Sequence, residues 1–408
     1  MKPVTEGLLK FLTKAGLVTK GLQYKETHFS ANTTRLLTLL LEQIEEADKA
    51  YIAVSSEVLK SRQSINPSNF PRSSDFDYFP KPIRDTIHTI KKTGCIYSFT
   101  VGKRSYEVAM VCPANKPKPN VFFEDAISKV YQWLYVADKH ASCECSQKMN
   151  IYLYFTELKK EIPREPGQYI SQEHINTAFT TSCERVTELN LSREEEWFKV
   201  FIHETFHNMG LDFSQLSADA ANKHILSYFP VKSDVRLFET YCETWAEIIN
   251  VLFVSHQNNK DKGIGLARTL VDVKKRLDQE RVFSLFQCAK ILNYYGLEYH
   301  QLYDRESQEI RRHKYKEKTH VLSYFIIKSN LFFFLDEYID WCVKHNGLTL
   351  RFKSNEKTVR EYCNLVGKQY KMPVYTETLG EFESWFSNLT IEEYSRVEMR
   401  TLRMTLYG

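Results

Sequence analysis

Two histidines spaced four residues apart, with a glutamate after the first, carry the clearest chemistry in this sequence. They lie in His203–His207, which reads His-Glu-Thr-Phe-His, the pattern H-E-x-x-H. On a helix, residues four apart share one face, so both imidazoles can reach one metal ion while Glu204 lies beside its open position. The spacing therefore predicts a hydrolytic metal site. The alternative is a core helix in which both histidines are satisfied by hydrogen bonds.

A helix around this motif has a marked start and a marked end. Ser192 and Glu195 form a capping-box pattern, and apolar residues follow at helical spacing. Gly210 stands where a helix C-terminal glycine is expected. We therefore predict a helix over about 193–209.

A catalytic zinc site needs a third protein ligand and an open fourth position. Metzincins supply that ligand six residues after the second histidine, where this chain has Phe213, so that class does not fit. Asp212 is one position early, and we expect it among the carboxylates that support the metal ligands.

The better source of a third ligand is a predicted helix over 236–250. Its glutamates Glu239, Glu243 and Glu247 fall on one stripe. Three stacked carboxylates would repel one another unless a cation lay among them, and a zinc ion would meet that need. The alternative is a solvated acidic helix face.

The two predicted helices resemble the zinc-binding helices of gluzincins, the thermolysin-like peptidases, in which H-E-x-x-H is followed by E-x-x-x-E or E-x-x-x-D. The form E-x-x-A-E in Glu243–Glu247 is also similar to the corresponding helix of anthrax lethal factor. The resemblance covers only these two short helices of a 408-residue chain.

Carried over to this sequence, the resemblance assigns a role to each charged residue of the two helices. It implies that His203, His207 and Glu243 bind zinc. It implies that Glu204 is the general base and that Glu247 orients a ligand histidine. Glu239 with Glu243 has the same spacing one turn earlier, so the third ligand stays open between these two.

With these ligands the expected reaction is amide hydrolysis. Zinc would activate a water molecule and polarise the substrate carbonyl, while Glu204 takes the proton of the water and passes it to the leaving amine. A further donor would stabilise the oxyanion, and His320 and Tyr324, which would share a helix face, are the candidates. The alternative is that each is an ordinary helix residue.

Upstream, the stretches 149–156 and 175–183 are rich in β-branched and aromatic residues and read as strands. The expected fold is therefore α+β and zincin-like. It would have a small mixed sheet with an edge strand packed on the H-E-x-x-H helix, and a mostly helical C-terminal lobe. By resemblance to zincins, segment 175–183 is the edge strand, and peptide substrate would add to it as a further strand.

The rest of the chain divides into three predicted regions. These are an N-terminal helical region with a linker (1–90), a zincin-like core (91–260) and a helical lobe (261–408). Within them we expect helices at 31–61 and 122–140, a hairpin of strands 96–101 and 105–112, and a strand at 348–352.

Composition bounds the class of protein. The chain has 43% apolar residues and a net charge of +4 from 55 basic and 51 acidic residues, which favours a globular protein and gives no argument for nucleic acid. We find no signal peptide and no run long enough to span a membrane. The nine scattered cysteines suggest reduced thiols and an intracellular protein.

Two hypotheses follow. The first is an intracellular zinc metallopeptidase with a protein or peptide substrate. The second is a zincin-fold structural or interaction protein with a structural zinc, and the presence of Glu204 favours the first. The composition also resembles that of proteins from large DNA viruses, so virion association or processing of virion proteins would be a plausible role, with assembly partners unknown. Residues 1–90 could act as a plug over the site.

Overall fold

The computed structural model describes residues 3–23, 28–66, 69–165 and 167–408. Helices make up most of the described chain, and one six-stranded mixed sheet contains all of its strands. The expected α+β class is therefore confirmed. No helix in the described ranges combines the length and the apolar character that crossing a bilayer requires.

The sheet has the order β1-β2-β3-β4-β6-β5. Its strands are β1 (Gln63–Ser64), β2 (Lys92–Val101), β3 (Arg104–Pro113), β4 (Lys148–Thr156), β5 (Ala178–Thr180) and β6 (Val186–Arg193). β3, β4 and β6 are parallel neighbours, and the other pairs are antiparallel. The predicted hairpin and the strand at 149–156 are confirmed. β5 is an edge strand as expected, but it is shorter than 175–183 because a helical turn occupies Gln172–Ile175.

Helices surround this sheet and form the rest of the molecule. The first nine are α1 (Pro3–Lys14), α2 (Leu17–Leu22), α3 (Ala31–Lys60), α4 (Lys81–Thr89), α5 (Pro119–Asp138), α6 (Gln172–Ile175), α7 (Trp197–Asn208), α8 (Asp219–Tyr228) and α9 (Leu237–Lys260). The others are α10 (Leu266–Tyr295), α11 (Gln308–Lys314), α12 (Lys328–Phe333), α13 (Leu335–Asn346), α14 (Glu356–Gln369), α15 (Pro373–Ser387), α16 (Ile391–Tyr394) and α17 (Val397–Arg400). Short 3-10 helices lie at Phe76–Tyr78 and Tyr299–Leu302, and a π-helix lies at Leu322–Ile327.

One hydrophobic cluster runs through all three predicted regions, from Leu8 to Tyr407. α3 packs against both α5 and α13, so the N-terminal region contacts the sheet side and the helical lobe. The predicted strand at 348–352 is wrong. That segment is irregular, because Phe352 packs its ring on Phe213, at 4.4 Å between centroids, instead of joining a sheet.

The helix that carries the H-E-x-x-H motif starts later than predicted. Ser192 lies in β6, and its hydroxyl donates to the carbonyl of Thr177 at 2.8 Å, so the predicted capping box is wrong. Glu195 instead accepts a hydrogen bond from the backbone of Lys160 at 2.7 Å. Strand pairing therefore outcompeted the local cap. The predicted C-terminal end is confirmed, since Gly210 has φ +64, a left-handed conformation that suits glycine.

The cysteines also depart in part from expectation. Cys145 and Cys183 form a disulfide, whereas the sequence suggested that all thiols are reduced. The other seven cysteines are free, and all of them except Cys143 are buried. Cys145 lies in the loop before β4, and Cys183 lies in the loop between β5 and β6, so the disulfide joins these two loops.

The last residues of the chain are buried beside α7. Met404 and Thr405 donate their backbone N–H groups to Oε1 of Glu196, at 2.8 and 2.7 Å. The other carboxylate oxygen, Oε2, lies 2.8 Å from Nζ of Lys160, and both side chains are almost fully buried. Burial raises the pKa of Glu196, but Lys160 and nearby cations outweigh it and lower the pKa to about 2.

We expect Glu196→Gln to lower the free energy of unfolding by roughly 3–5 kcal/mol at pH 7, because it leaves the buried Lys160 without its counter-charge. Because the pKa of Glu196 is depressed, its contribution is present above about pH 4.5 and is lost as the pH falls towards 2. Urea unfolding of both proteins at several pH values measures this. Their stabilities should converge towards low pH, and a constant difference from pH 7 to 3 would contradict the assignment. Glu45→Gln, in the exposed pair with Lys49, is the control and should leave stability nearly unchanged.

Candidate metal centre

Helix α7 is held firmly on all sides. All twelve of its residues, Trp197–Asn208, are buried. Trp133 of α5 stacks on Phe206, and its indole N–H donates to the hydroxyl of Thr205. On the opposite side α7 packs along α9. This packing fixes the rotation of α7, so that both motif histidines face α9.

Three side chains from these two helices converge on one point. Nε2 of His203 lies 3.3 Å from Nε2 of His207 and 3.0 Å from Oε2 of Glu239. Nε2 of His207 lies 3.6 Å from the same Glu239 oxygen. Two nitrogen or oxygen ligands on one tetrahedral zinc ion are about 3.3 Å apart, given bonds of about 2.0–2.1 Å. The three observed distances bracket that value, so these residues could hold one metal ion.

The other imidazole nitrogens are held by carboxylates. Nδ1 of His203 lies 2.9 Å from Oε2 of Glu243, and Nδ1 of His207 lies 2.6 Å from Oδ2 of Asp212. A carboxylate that accepts from Nδ1–H fixes the tautomer and leaves Nε2 for a metal. Asp212 therefore lies where the sequence analysis expected a supporting carboxylate.

The structure exchanges the roles expected for Glu239 and Glu243. Glu239 is the carboxylate on the metal-facing nitrogens, while Glu243 lies behind His203 on Nδ1. This is the E-x-x-x-E spacing one turn earlier, the alternative that the sequence left open. Sequence spacing alone does not show which turn of α9 lies level with His203, and for that reason it left the third ligand open.

Glu247 does not orient a ligand histidine in this structure. Its carboxylate lies 2.7 Å from Nζ of Lys328, and both side chains are fully buried. Each of the three stacked carboxylates of α9 thus has a basic neighbour, and burial raises the pKa of Glu247 in spite of Lys328, which reduces its charge. Glu239 contacts the histidines, Glu243 contacts Lys199 and His203, and Glu247 contacts Lys328. A metal ion is therefore not required to relieve repulsion along the whole stripe.

A second group of potential ligands consists of His207, Asp212 and Cys242. Sequence reasoning missed Cys242, whose Sγ lies 3.6 Å from Asp212 and 3.8 Å from Nδ1 of His207. The 2.6 Å contact between His207 and Asp212 is too short for two ligands of one zinc ion and fits a hydrogen bond. Burial also raises the pKa of the Cys242 thiol and keeps it neutral. The geometry therefore favours one metal ion, on the Nε2 side.

Glu204 faces a small cavity beside this point. The cavity measures about 30 Å³, and its lining includes Glu204, Glu243 and Tyr324 together with His203, which is the only one of the three converging residues that borders it. Burial raises the pKa of Glu204, and its carboxylate has no hydrogen-bond partner within the described ranges. The volume suffices for about two water molecules. A carboxylate with a raised pKa beside water is suited to accept a proton near neutral pH.

Of the two expected oxyanion donors, the structure brings only Tyr324 to the site. Its hydroxyl donates to Oε2 of Glu239 at 3.0 Å, and it lies in the π-helix, a conformation often found at functional sites. Nδ1 of His320 is instead 2.8 Å from the carbonyl of Asp234. The described residues that line the cavity do not include His320. The residues that line the cavity also include none from the described part of region 1–90, so that part does not plug the cavity.

Charge in the metal-free site is balanced by protons on the histidines. Burial opposes a charge on His203, but hydrogen bonds with Glu239 and Glu243 outweigh it and raise its pKa to about 9. Burial also opposes a charge on His207, but the neighbouring Cys242, Asp212 and Glu239 outweigh it and raise its pKa well above the usual value. These neighbours thus favour protonation of the histidine pair, and because the two Nε2 atoms lie 3.3 Å apart, one of them accepts where the other donates.

Comparison with known proteins gives no relative. No protein-family model matches the chain, and neither the curated proteins nor the solved structures contain a match.

The exchange of Glu239 and Glu243 can be tested by metal binding. Glu239→Gln should weaken divalent metal binding most, because it removes a ligand, while Glu243→Gln should cost about 10–100-fold through loss of support for His203. Competition with a chromogenic chelator measures both affinities, and Glu57→Gln, an exposed acid on α3, is the control. A larger loss in Glu243→Gln than in Glu239→Gln would restore the ligand set expected from the sequence.

Proposed function

We propose that this protein is a zinc-dependent metallopeptidase of gluzincin-like design that cleaves a peptide or protein substrate. The observation that carries the proposal is the convergence of Nε2 of His203, Nε2 of His207 and Oε2 of Glu239 beside the free carboxylate of Glu204. Two imidazoles and one carboxylate with a fourth position open are a donor set that catalytic zinc sites use.

Charge balance supports a divalent ion. The carboxylates around the two histidines raise the pKa of both, so the site favours positive charge, which a divalent metal ion would supply in exchange for a proton. In a buried site such an exchange avoids leaving charge uncompensated. The spacing of the two nitrogens and one oxygen fits the tetrahedral geometry that zinc adopts in protein sites.

The sheet supports the expected zincin-like arrangement. β5 is the outermost strand and packs beside α7, and Thr177 and Ala178 at its start line the same cavity as Glu204. An extended substrate that added to β5 as a further strand would lie next to the proposed metal ion. The zincin fold itself is part of this proposal.

The residues of the chain then have defined tasks. When bound, zinc would supply Lewis-acid polarisation of the scissile carbonyl and lower the pKa of water. Glu204 would accept a proton from the attacking water and deliver it to the leaving nitrogen. Tyr324 is placed to donate its hydroxyl proton towards the developing oxyanion. Glu243 and Asp212 keep both histidines in the tautomer that presents Nε2.

One observation favours the alternative, a zincin-fold structural or interaction protein such as a virion assembly component. The cavity beside Glu204 measures only about 30 Å³, so no deep pocket for a substrate side chain borders this carboxylate. A structural site needs no such pocket. In a peptidase Glu204 is required for hydrolysis, whereas in a structural protein it would contribute only to packing.

Glu204→Gln provides that test. We expect it to bind zinc as the wild type does and to lose about 10²–10⁴-fold in hydrolysis, because glutamine cannot accept the proton. Zinc content by metal analysis and cleavage of a mixed peptide library by mass spectrometry are the measurements. A wild type that binds zinc and cleaves no peptide would support the structural alternative. Equal cleavage by the wild type and the variant would exclude Glu204 as the base.

Zinc binding should release a proton. In the metal-free protein the raised pKa of His203 keeps an extra proton on the histidine pair near pH 7, so binding should release about one proton, and the affinity should rise by about tenfold per pH unit. The rise should flatten as the pH passes about 9, where His203 loses its proton without metal. Calorimetry in two buffers of different ionisation enthalpy measures the release. An affinity independent of pH between 6.5 and 8 would contradict both the ligands and the charge exchange.

A further inference from the structure

Lys199 is a buried cation that the sequence analysis did not single out. It lies on α7 one turn before His203, and only 1% of its surface is exposed. Residues four apart share a helix face, so Lys199 and His203 both point towards α9. Burying an ammonium group costs several kcal/mol unless it is paired. A lysine buried at this position therefore requires an acidic partner.

That partner is Glu243. Nζ of Lys199 contacts Oε1 of Glu243, while the second oxygen, Oε2, lies 2.9 Å from Nδ1 of His203. One carboxylate thus bridges the lysine and the imidazole. With both oxygens held, the carboxylate cannot rotate about its terminal bond. The bridge consequently fixes the plane of the His203 ring and directs Nε2 towards Glu239.

The neighbouring buried lysines do not share this task. Lys160 pairs with Glu196 at 2.8 Å, and Lys328 pairs with Glu247 at 2.7 Å. The other contact of the Lys199 ammonium group is Sδ of Met404 at 3.8 Å, a weak acceptor. Lys199 is therefore the lysine whose ion pair is one hydrogen bond away from a proposed metal ligand.

We propose that Lys199 is a positioning residue of the metal site, which acts through Glu243 to hold His203 in its metal-binding tautomer and orientation. The proposal rests on the metal site described under the proposed function. The proposal extends the group of residues on this face of α7 that serve the metal site by one turn, from His203 back to Lys199.

The test is zinc affinity, measured on the full chain by chelator competition. Lys199→Met fills the same space without charge and should weaken zinc binding about 10–100-fold, as the loss of an outer partner of a metal ligand does. Lys328→Met is the matched control, because it also removes a buried lysine from a glutamate on α9, but from Glu247, which contacts no ligand. It should leave the zinc affinity within about twofold. Equal weakening by both variants would show a general effect of destabilisation and overturn the proposal.

A double variant keeps the test valid if Lys199→Met alone does not fold. Lys199→Met with Glu243→Gln removes both charges and so leaves no unpaired ion. Its zinc affinity should match that of Glu243→Gln alone within about twofold, because both residues act through one chain of contacts. A further tenfold loss would show that Lys199 acts by another route and overturn the proposal. A wild type that binds no zinc would instead overturn the metal site itself, and the proposal with it.

Discussion

The rest of this structure depends on the neutralisation of charges buried between α7 and α9. Within this interface and its surroundings lie Lys160, Lys199, Lys328, Glu196, Glu243 and Glu247, each at most 2% exposed. An uncompensated charge at such depth would cost more than a typical domain can tolerate. Each buried ion therefore fixes the position of its partner. Through these pairs the packing of α7 on α9 is coupled to the buried C-terminal segment and to the candidate metal centre.

This coupling explains which features the sequence could predict. The H-E-x-x-H helix, the glutamate-bearing helix and the hairpin follow from local periodicity and spacing, and the structure contains all three. The edge position of β5 was expected only from the resemblance to zincins, and the sheet order agrees with it. Local signals failed where a distant segment competed for the same groups. Ser192 looked like a helix cap, but β6 and Thr177 use it in the sheet. Residues 348–352 looked like a strand, but aromatic packing on Phe213 holds that segment in an irregular conformation.

The residues of the candidate site also fall into those that the sequence predicts and those that it does not. Both motif histidines and Glu204 could be named from spacing alone, because a single helix sets their relation. The third ligand could not, since it depends on how far α9 is shifted along α7. The available signal was the second E-x-x-x-E pair, Glu239 and Glu243, which has the same spacing as Glu243 and Glu247. Lys199 left no signal, because a lysine in a sequence reads as a surface residue until its buried partner is known.

The charge balance also explains how the side chains of the site can keep their arrangement without a metal ion. Many small metal sites fold only with their ion, because ligands would otherwise repel or remain unpaired. Here protonation of the histidine pair can compensate the surrounding carboxylates without an ion. Glu239, whose pKa is lowered well below its usual value as its contacts with the histidines outweigh burial, accepts from His203 at 3.0 Å. The candidate ligands are thus already arranged without an ion, so the geometry of the site does not depend on metal binding in order to form.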